Sequence, residues 1–234
     1  MAEQNKPQTE QDPEVAIASA IGQFEGFIMK NGRSLLIALA VVVIVVGGFF
    51  GYKYLVVAPR AEKAAAMMFM AEQQFAADSF DVALNGDGNF AGFLDVIAKY
   101  GSTPAGNLAK HYAGICYLKA GEYDRALEYL GKYSPETGSA PAALIAAQNY
   151  GLQGDALVQT GKLSEAVKLY EKAVATGKNA LTAPYYLKKS GEVYEKLGDF
   201  AKALAAYKTI GTDYASSMEA RDIQKYIGRI EQQQ

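Results

Sequence analysis

The sequence predicts an all-α chain in which a single apolar N-terminal helix, long enough to span a bilayer, precedes a solenoid of stacked helical hairpins. Three observations carry that reading. Leu35–Tyr52 runs for 18 residues without a charge, the threshold length for a spanning helix. A five-residue pattern recurs three times beyond residue 110, as hairpin arrays require. Half the residues are hydrophobic, Pro numbers only 7, Tyr 16, and Trp is absent, a composition suited to close-packed helices.

Residues 1–13 are polar and predict a disordered tail. Residues 14–33 predict an amphipathic juxtamembrane helix, because Val15, Ile17, Ala18, Ile21, Phe24, Phe27 and Ile28 recur at helical spacing. Such a face can lie on a membrane surface or pack on a partner's membrane domain. Residues 34–57 predict the transmembrane anchor, with Lys53 snorkelling and Tyr52 and Tyr54 at the interface. The preceding region is too long and acidic for a secretory leader, and VVAPR lacks a small-residue cleavage pattern. An uncleaved anchor is expected. Lys30 and Arg33 on one flank nearly balance Lys53, Arg60 and Lys63 on the other. Flanking charge therefore leaves the direction of insertion open.

Residues 58–234 predict the repeat domain. Its units start at Gly114, Gly154 and Gly191, 40 and 37 residues apart. The first carries Gly114, Tyr117, Gly121, Tyr123 and Ala126. The second carries Gly154, Leu157, Gly161, Leu163 and Ala166, and the third Gly191, Tyr194, Gly198, Phe200 and Ala203. A small first residue lets a partner helix approach closely. The middle glycine ends the first helix in a left-handed conformation. The Ala is the reciprocal close contact on the second helix. One hairpin cannot bury its apolar face alone, so hairpins stack. This pattern resembles the tetratricopeptide repeat, with units somewhat longer than its roughly 34-residue period. The extra residues fall at Ser134–Pro141 and Thr176–Pro184. Ala61–Asp78 predicts a helix partnered by Asn89–Tyr100, with a plain turn around Asp87–Gly88–Asn89, and Met218–Ile230 predicts a terminal cap.

In stacked hairpins the first helix of each pair lines a concave face. The candidate groove is Leu108, His111, Ile115 and Lys119, then Gln148, Gly151, Asp155 and Gln159, then Tyr185, Lys188, Glu192 and Glu195. Asp155 and Glu192 argue against a clamp for a peptide carboxylate. An ordinary solvated face is the competing reading of the same residues.

Catalytic chemistry finds little support. There is no P-loop, GxSxG, HExxH or CxxC pattern. Cys116 and His111 are each the only residue of their type, so no intrachain disulfide and no Cys/His metal cluster is expected. No catalytic residue, metal or cofactor is expected. Acids and bases nearly cancel, leaving a net charge of −2, so no nucleic-acid partner is expected.

The stretch FIMKNGRSLL at Phe27–Leu36, the apolar span with its glycines, and GYKY at Gly51–Tyr54 lead into the Ala-rich helix and the hairpins. That layout resembles the ancillary Sec-translocon subunit family of Gram-negative inner membranes. The resemblance implies a single-pass protein of the bacterial inner membrane, with a cytoplasmic N-terminus and a periplasmic repeat domain. It also implies a non-catalytic scaffold of the export machinery that binds a chaperone or a translocating client. Implied partners are the lipid bilayer, the Sec translocon and a membrane-anchored periplasmic peptidyl-prolyl isomerase chaperone. The alternative is a scaffold for another cell-envelope assembly complex.

Overall fold

The computed structural model describes residues 13–136 and 138–233; the polar tail expected over residues 1–13 lies outside them except for Pro13. The chain divides into two compact units, Met1–Pro59 and Arg60–Gln234.

In the first unit, α1 spans Pro13–Tyr52 without a break and is followed by a π-helical turn, Lys53–Val57. The juxtamembrane and anchor segments expected at 14–33 and 34–57 are thus not separated by a turn. Ile17, Ile21, Phe24 and Phe27 are exposed, as are the aliphatics and aromatics from Leu35 to Val57. A helical stretch, Phe27–Ala76, contains an 18-residue window of mean hydropathy 2.7, none of it buried. It is long and apolar enough to cross a membrane, which is compatible with a single-pass anchor.

The second unit is all-helical among its described residues. Its helices are α2 (Ala58–Ala76), α3 (Phe80–Asn85), α4 (Phe93–Tyr100), α5 (Pro104–Lys119) and α6 (Tyr123–Lys132). They continue as α7 (Ala140–Gln159), α8 (Leu163–Gly177), α9 (Ala183–Lys196), α10 (Phe200–Asp213) and α11 (Ile223–Glu231). The pairs α5/α6, α7/α8 and α9/α10 are the three hairpins the repeat predicts. Pro104, Pro141 and Pro184 sit in the first turns of α5, α7 and α9, where a missing N–H costs nothing. Thr103 Oγ1 accepts from the Gly106 amide at 3.1 Å, and Ser139 Oγ from the Ala142 amide at 3.3 Å, capping α5 and α7.

The signature residues act as their chemistry requires. Gly121, Gly161 and Gly198 have φ of 77°, 76° and 76°. Each first helix closes with the same pair of bonds; Gly121 N–H reaches Leu118 O at 3.1 Å and Glu122 N–H reaches Tyr117 O at 2.9 Å. A Cβ at Gly114 would meet Leu130 Cγ at 2.5 Å. At Gly154 it would meet Tyr170 Cε1 at 2.6 Å, and at Gly191 Tyr207 Cε1 at 2.4 Å. All three contacts join residues 16 apart, so one register holds every hairpin. Ala126, Ala166 and Ala203 have no exposed surface.

Three boundaries differ from expectation. Between the two expected helices, Phe80–Asn85 forms a further helix, α3, whose Ala83 and Leu84 are buried and whose Phe80 reaches Phe75 on α2 edge-on with ring centres 5.4 Å apart. The partner of α2 begins at Phe93 rather than Asn89. Asp87 Oδ1 accepts from the Asn89 and Phe90 amides at 2.8 and 3.1 Å, holding that stretch as a turn. The terminal cap is a short 3₁₀ turn, Glu219–Arg221, followed by α11.

Two cores result. One gathers Met68, Ala71, Phe93, Val96, Ala113 and Tyr117 from α2, α4 and α5. The other gathers Tyr170, Val193, Tyr207, Ile210, Ile223 and Ile227 from the later hairpins and α11.

Candidate binding surface

The expected groove residues line several depressions, the last two of which adjoin through Lys189 and Glu192. Leu108 lines a cleft of about 380 Å³ between α2, α5 and the start of α7. Lys119 lines a second at the other end of α5, with its ammonium 5.4 Å from the Phe80 ring centre. Asp155, Gln159 and Glu192 share a third with Lys189. Tyr185, Lys188 and Glu192 share a fourth with Met218 and Asp222. Gln148 is exposed and Ile115 half-buried.

Three expected groove residues are taken up by contacts between helices instead: His111 and Gly151 in seams between hairpins, and Glu195 within the third hairpin and against α11. His111 is not a surface group; it is 2% exposed and set between α5 and α7. Asn149 Nδ2 donates to His111 Nδ1 at 3.1 Å, so the ring proton sits on Nε2, facing Gln148 Oε1 at 3.3 Å. Gln153 Nε2 donates to Asn149 Oδ1 at 2.7 Å and completes the network. Burial lowers the His111 pKa to about 4, with Gln148 opposing: a charge cannot be solvated there. Gly151 is buried because the Tyr186 ring occupies the space a side chain would need; a Cβ would lie 2.0 Å from Cε1. Glu195 accepts from Tyr207 Oη at 2.5 Å and from Arg229 Nη2 at 2.6 Å, tying α9 to α10 and α11.

Asp155 is also engaged. It accepts from Tyr170 Oη at 2.6 Å and from Lys189 Nζ at 2.6 Å, so α7, α8 and α9 meet on one carboxylate. Tyr194 Oη donates to Glu171. Lys188 pairs with Asp222 at 3.1 Å and lies 4.5 Å from the Tyr226 ring centre. Cys116 is buried with its thiol pushed up to about 12, a packed and unreactive group. Among the described residues no cluster of His, Cys, Asp and Glu could hold a metal ion.

Residues of the first cleft were not reached from sequence. Met68 and Glu72 come from α2, and Tyr133 and Glu136 from the α6–α7 link. Ile145, also in the lining, precedes Gln148 by three residues on α7, so extending the groove stripe by one turn toward the N-terminus would have found it; Ala142, six residues before Gln148, lies off that stripe. The α2 contribution has no such signal, since α2 lies outside the repeat register.

The geometry is that of a solenoid of tetratricopeptide-type hairpins. Residues 109–134 and 152–215 each match a tetratricopeptide repeat family model. The fold is similar to that of a MamA protein, with 18% identity over 73% of this chain and 89% of that one and a TM-score of 0.51. It is also similar to the tetratricopeptide-like repeats of a Podosopora anserina putative kinesin light chain. There the identity is 15% over 74% of this chain and 87% of that one, with a TM-score of 0.54. No curated protein matches the sequence significantly. The chain carries tetratricopeptide repeats, which imply a protein–protein interaction scaffold. Such repeats are generally non-catalytic.

Proposed function

We propose that this chain is a non-catalytic, membrane-anchored scaffold of the Sec protein-export machinery. Its repeat domain, on the periplasmic side of a bacterial inner membrane, binds a chaperone or a translocating client. One observation carries the reading: the same chain joins an exposed apolar helix of membrane-spanning length to an interaction solenoid. The FIMKNGRSLL and GYKY stretches beside that helix, which resemble the ancillary Sec subunits, supply the choice of machinery. The partners are the translocon and a membrane-anchored peptidyl-prolyl isomerase chaperone.

Affinity purification of the full chain after mild solubilisation tests this. Recovery of translocon or chaperone subunits supports it; recovery of cell-wall or outer-membrane assembly components in their place supports an envelope scaffold of another kind. Protease digestion of intact spheroplasts tests topology separately. Degradation of the repeat domain is expected, and protection puts it in the cytoplasm and removes the export role.

A further inference from the structure

The cleft between α2, α5 and α7 differs from the other depressions in its lining. Its floor is apolar: Met68, Leu108, Ala142 and Ile145. Its charged lining among the described residues is two carboxylates, Glu72 on α2 and Glu136 on the α6–α7 link, with no lysine or arginine. Neither carboxylate has an ion-pair partner among the described residues. Elsewhere along the repeat, Asp155, Glu195 and Asp222 carry cationic partners, and Glu192, which has none among the described residues, shares its depressions with Lys188 and Lys189.

The field of these two acids reaches the lining. Glu136 raises the Tyr133 pKa, second to burial, and Glu72 does the same to Tyr112 beside the cleft. Burial raises the pKa of Glu72 itself, as expected of a carboxylate that has given up water without gaining a cation. Such a group gains from an arriving ammonium or guanidinium more than a solvated one does. A volume of about 380 Å³ suits one or two bulky side chains rather than a whole helix.

We infer that this cleft is a docking site for a basic, apolar peptide segment of a partner polypeptide. A bulky aliphatic side chain fills the floor, and an adjacent lysine or arginine pairs with Glu72 and Glu136. The inference rests on the scaffold reading of the repeats, not on which machinery the scaffold serves.

The test uses the purified full chain in micelles of an uncharged detergent and three short fluorescent peptides of equal apolar content. They carry two lysines, two glutamines or two glutamates, and anisotropy reports binding. The lysine peptide is expected to bind roughly tenfold tighter than the glutamine peptide, and the glutamate peptide weakest. In Glu72→Gln/Glu136→Gln the lysine preference falls to near unity while glutamine-peptide affinity is unchanged, a pattern that misfolding would not give. Leu108→Gln weakens all three peptides together, with the helical circular dichroism signal retained. The lysine preference shrinks with added salt.

An unchanged preference in the double variant overturns the proposal. So does loss of peptide binding on self-association of the chain, which would make a second copy the occupant. Because protein and peptides are purified, failure here leaves the pull-down result standing, and the reverse also holds.

Discussion

The first seam between hairpins and the later ones are built at the same register with opposite chemistry. His111 on α5 faces Asn149 on α7. One repeat on, Gly151 faces Tyr186, and after that Lys188 faces Tyr226. Inside the hairpins, Leu130 packs over Gly114 where Tyr170 and Tyr207 pack over Gly154 and Gly191. Only the tyrosines have hydroxyls, and each finds a carboxylate, Asp155 or Glu195, that a cation also reaches. The C-terminal hairpins are therefore closed by charge-assisted bonds, and the first seam by a neutral imidazole beside an open cleft. The two ends of the solenoid therefore differ in what closes their seams.

The hardest way to break the comparison is at Asp155. Asp155→Ala strands the Lys189 ammonium, whose side chain is only 26% exposed, and the Tyr170 hydroxyl. A loss of ~3 kcal/mol in urea unfolding is expected. A loss below ~1 kcal/mol would mean that the later seams are held by packing alone, as in the first hairpin.

Gly191→Ala comes next. The new methyl would lie 2.4 Å from a ring atom of Tyr207, which is fully buried. Overpacking outweighs the helix propensity gained, so a loss of ~2–3 kcal/mol is expected. Tyr207→Ala, which clears the ring from that space, should cost less in the Gly191→Ala background than alone. Additive losses would show that the ring does not own the space above Gly191.

Acid separates the two regions without a mutation. Burial holds His111 neutral, with a pKa of about 4 against 6.5 when free. Between those values the unfolded chain binds a proton that the folded one refuses. The contribution is thus complete above pH 6.5 and is lost as pH falls toward 4. At pH 5 the cost is ~1–2 kcal/mol. It should appear in hydrogen exchange as earlier opening of α5 and α7 than of α9 and α10. His111→Gln should flatten the difference between pH 7 and pH 5, and an unchanged difference would place the titrating group elsewhere.

What was legible in the sequence follows from this. The glycine and alanine signature announced each hairpin, because close approach and left-handed closure allow few substitutes at Gly114, Gly121 and Ala126. The seams were not legible. A groove assigned by helical spacing puts His111, Gly151 and Glu195 on one open face. Whether a position stays open depends on what the next hairpin brings across. Tyr186 covers Gly151 and Asn149 covers His111, and those pairings join residues 35 or more apart with no shared motif. The short α3 was missed for a related reason: six residues are too few for a helical period to show, and Phe80 secures the helix by reaching Phe75 and the core behind it.

The smallest effect has the opposite sign. Gly131 stands 17 residues after Gly114, where Glu171 and Lys208 stand in the later repeats. Glu171 holds Tyr194 on α9, and Lys208 pairs with Glu231 on α11 at 3.3 Å. At Gly131 on α6 there is no side chain to reach forward, and a Cβ would meet nothing within 4 Å. Gly131→Ala should therefore stabilise the chain by ~0.5–1 kcal/mol, through backbone entropy alone, and should leave exchange at the α5–α7 seam unchanged. Gly131→Glu adds what the later repeats have at this position. If it slows exchange of α7 beyond the alanine variant, the first seam lacks only that tether. If it matches alanine, the looseness of the first seam resides in the His111–Asn149 pair itself.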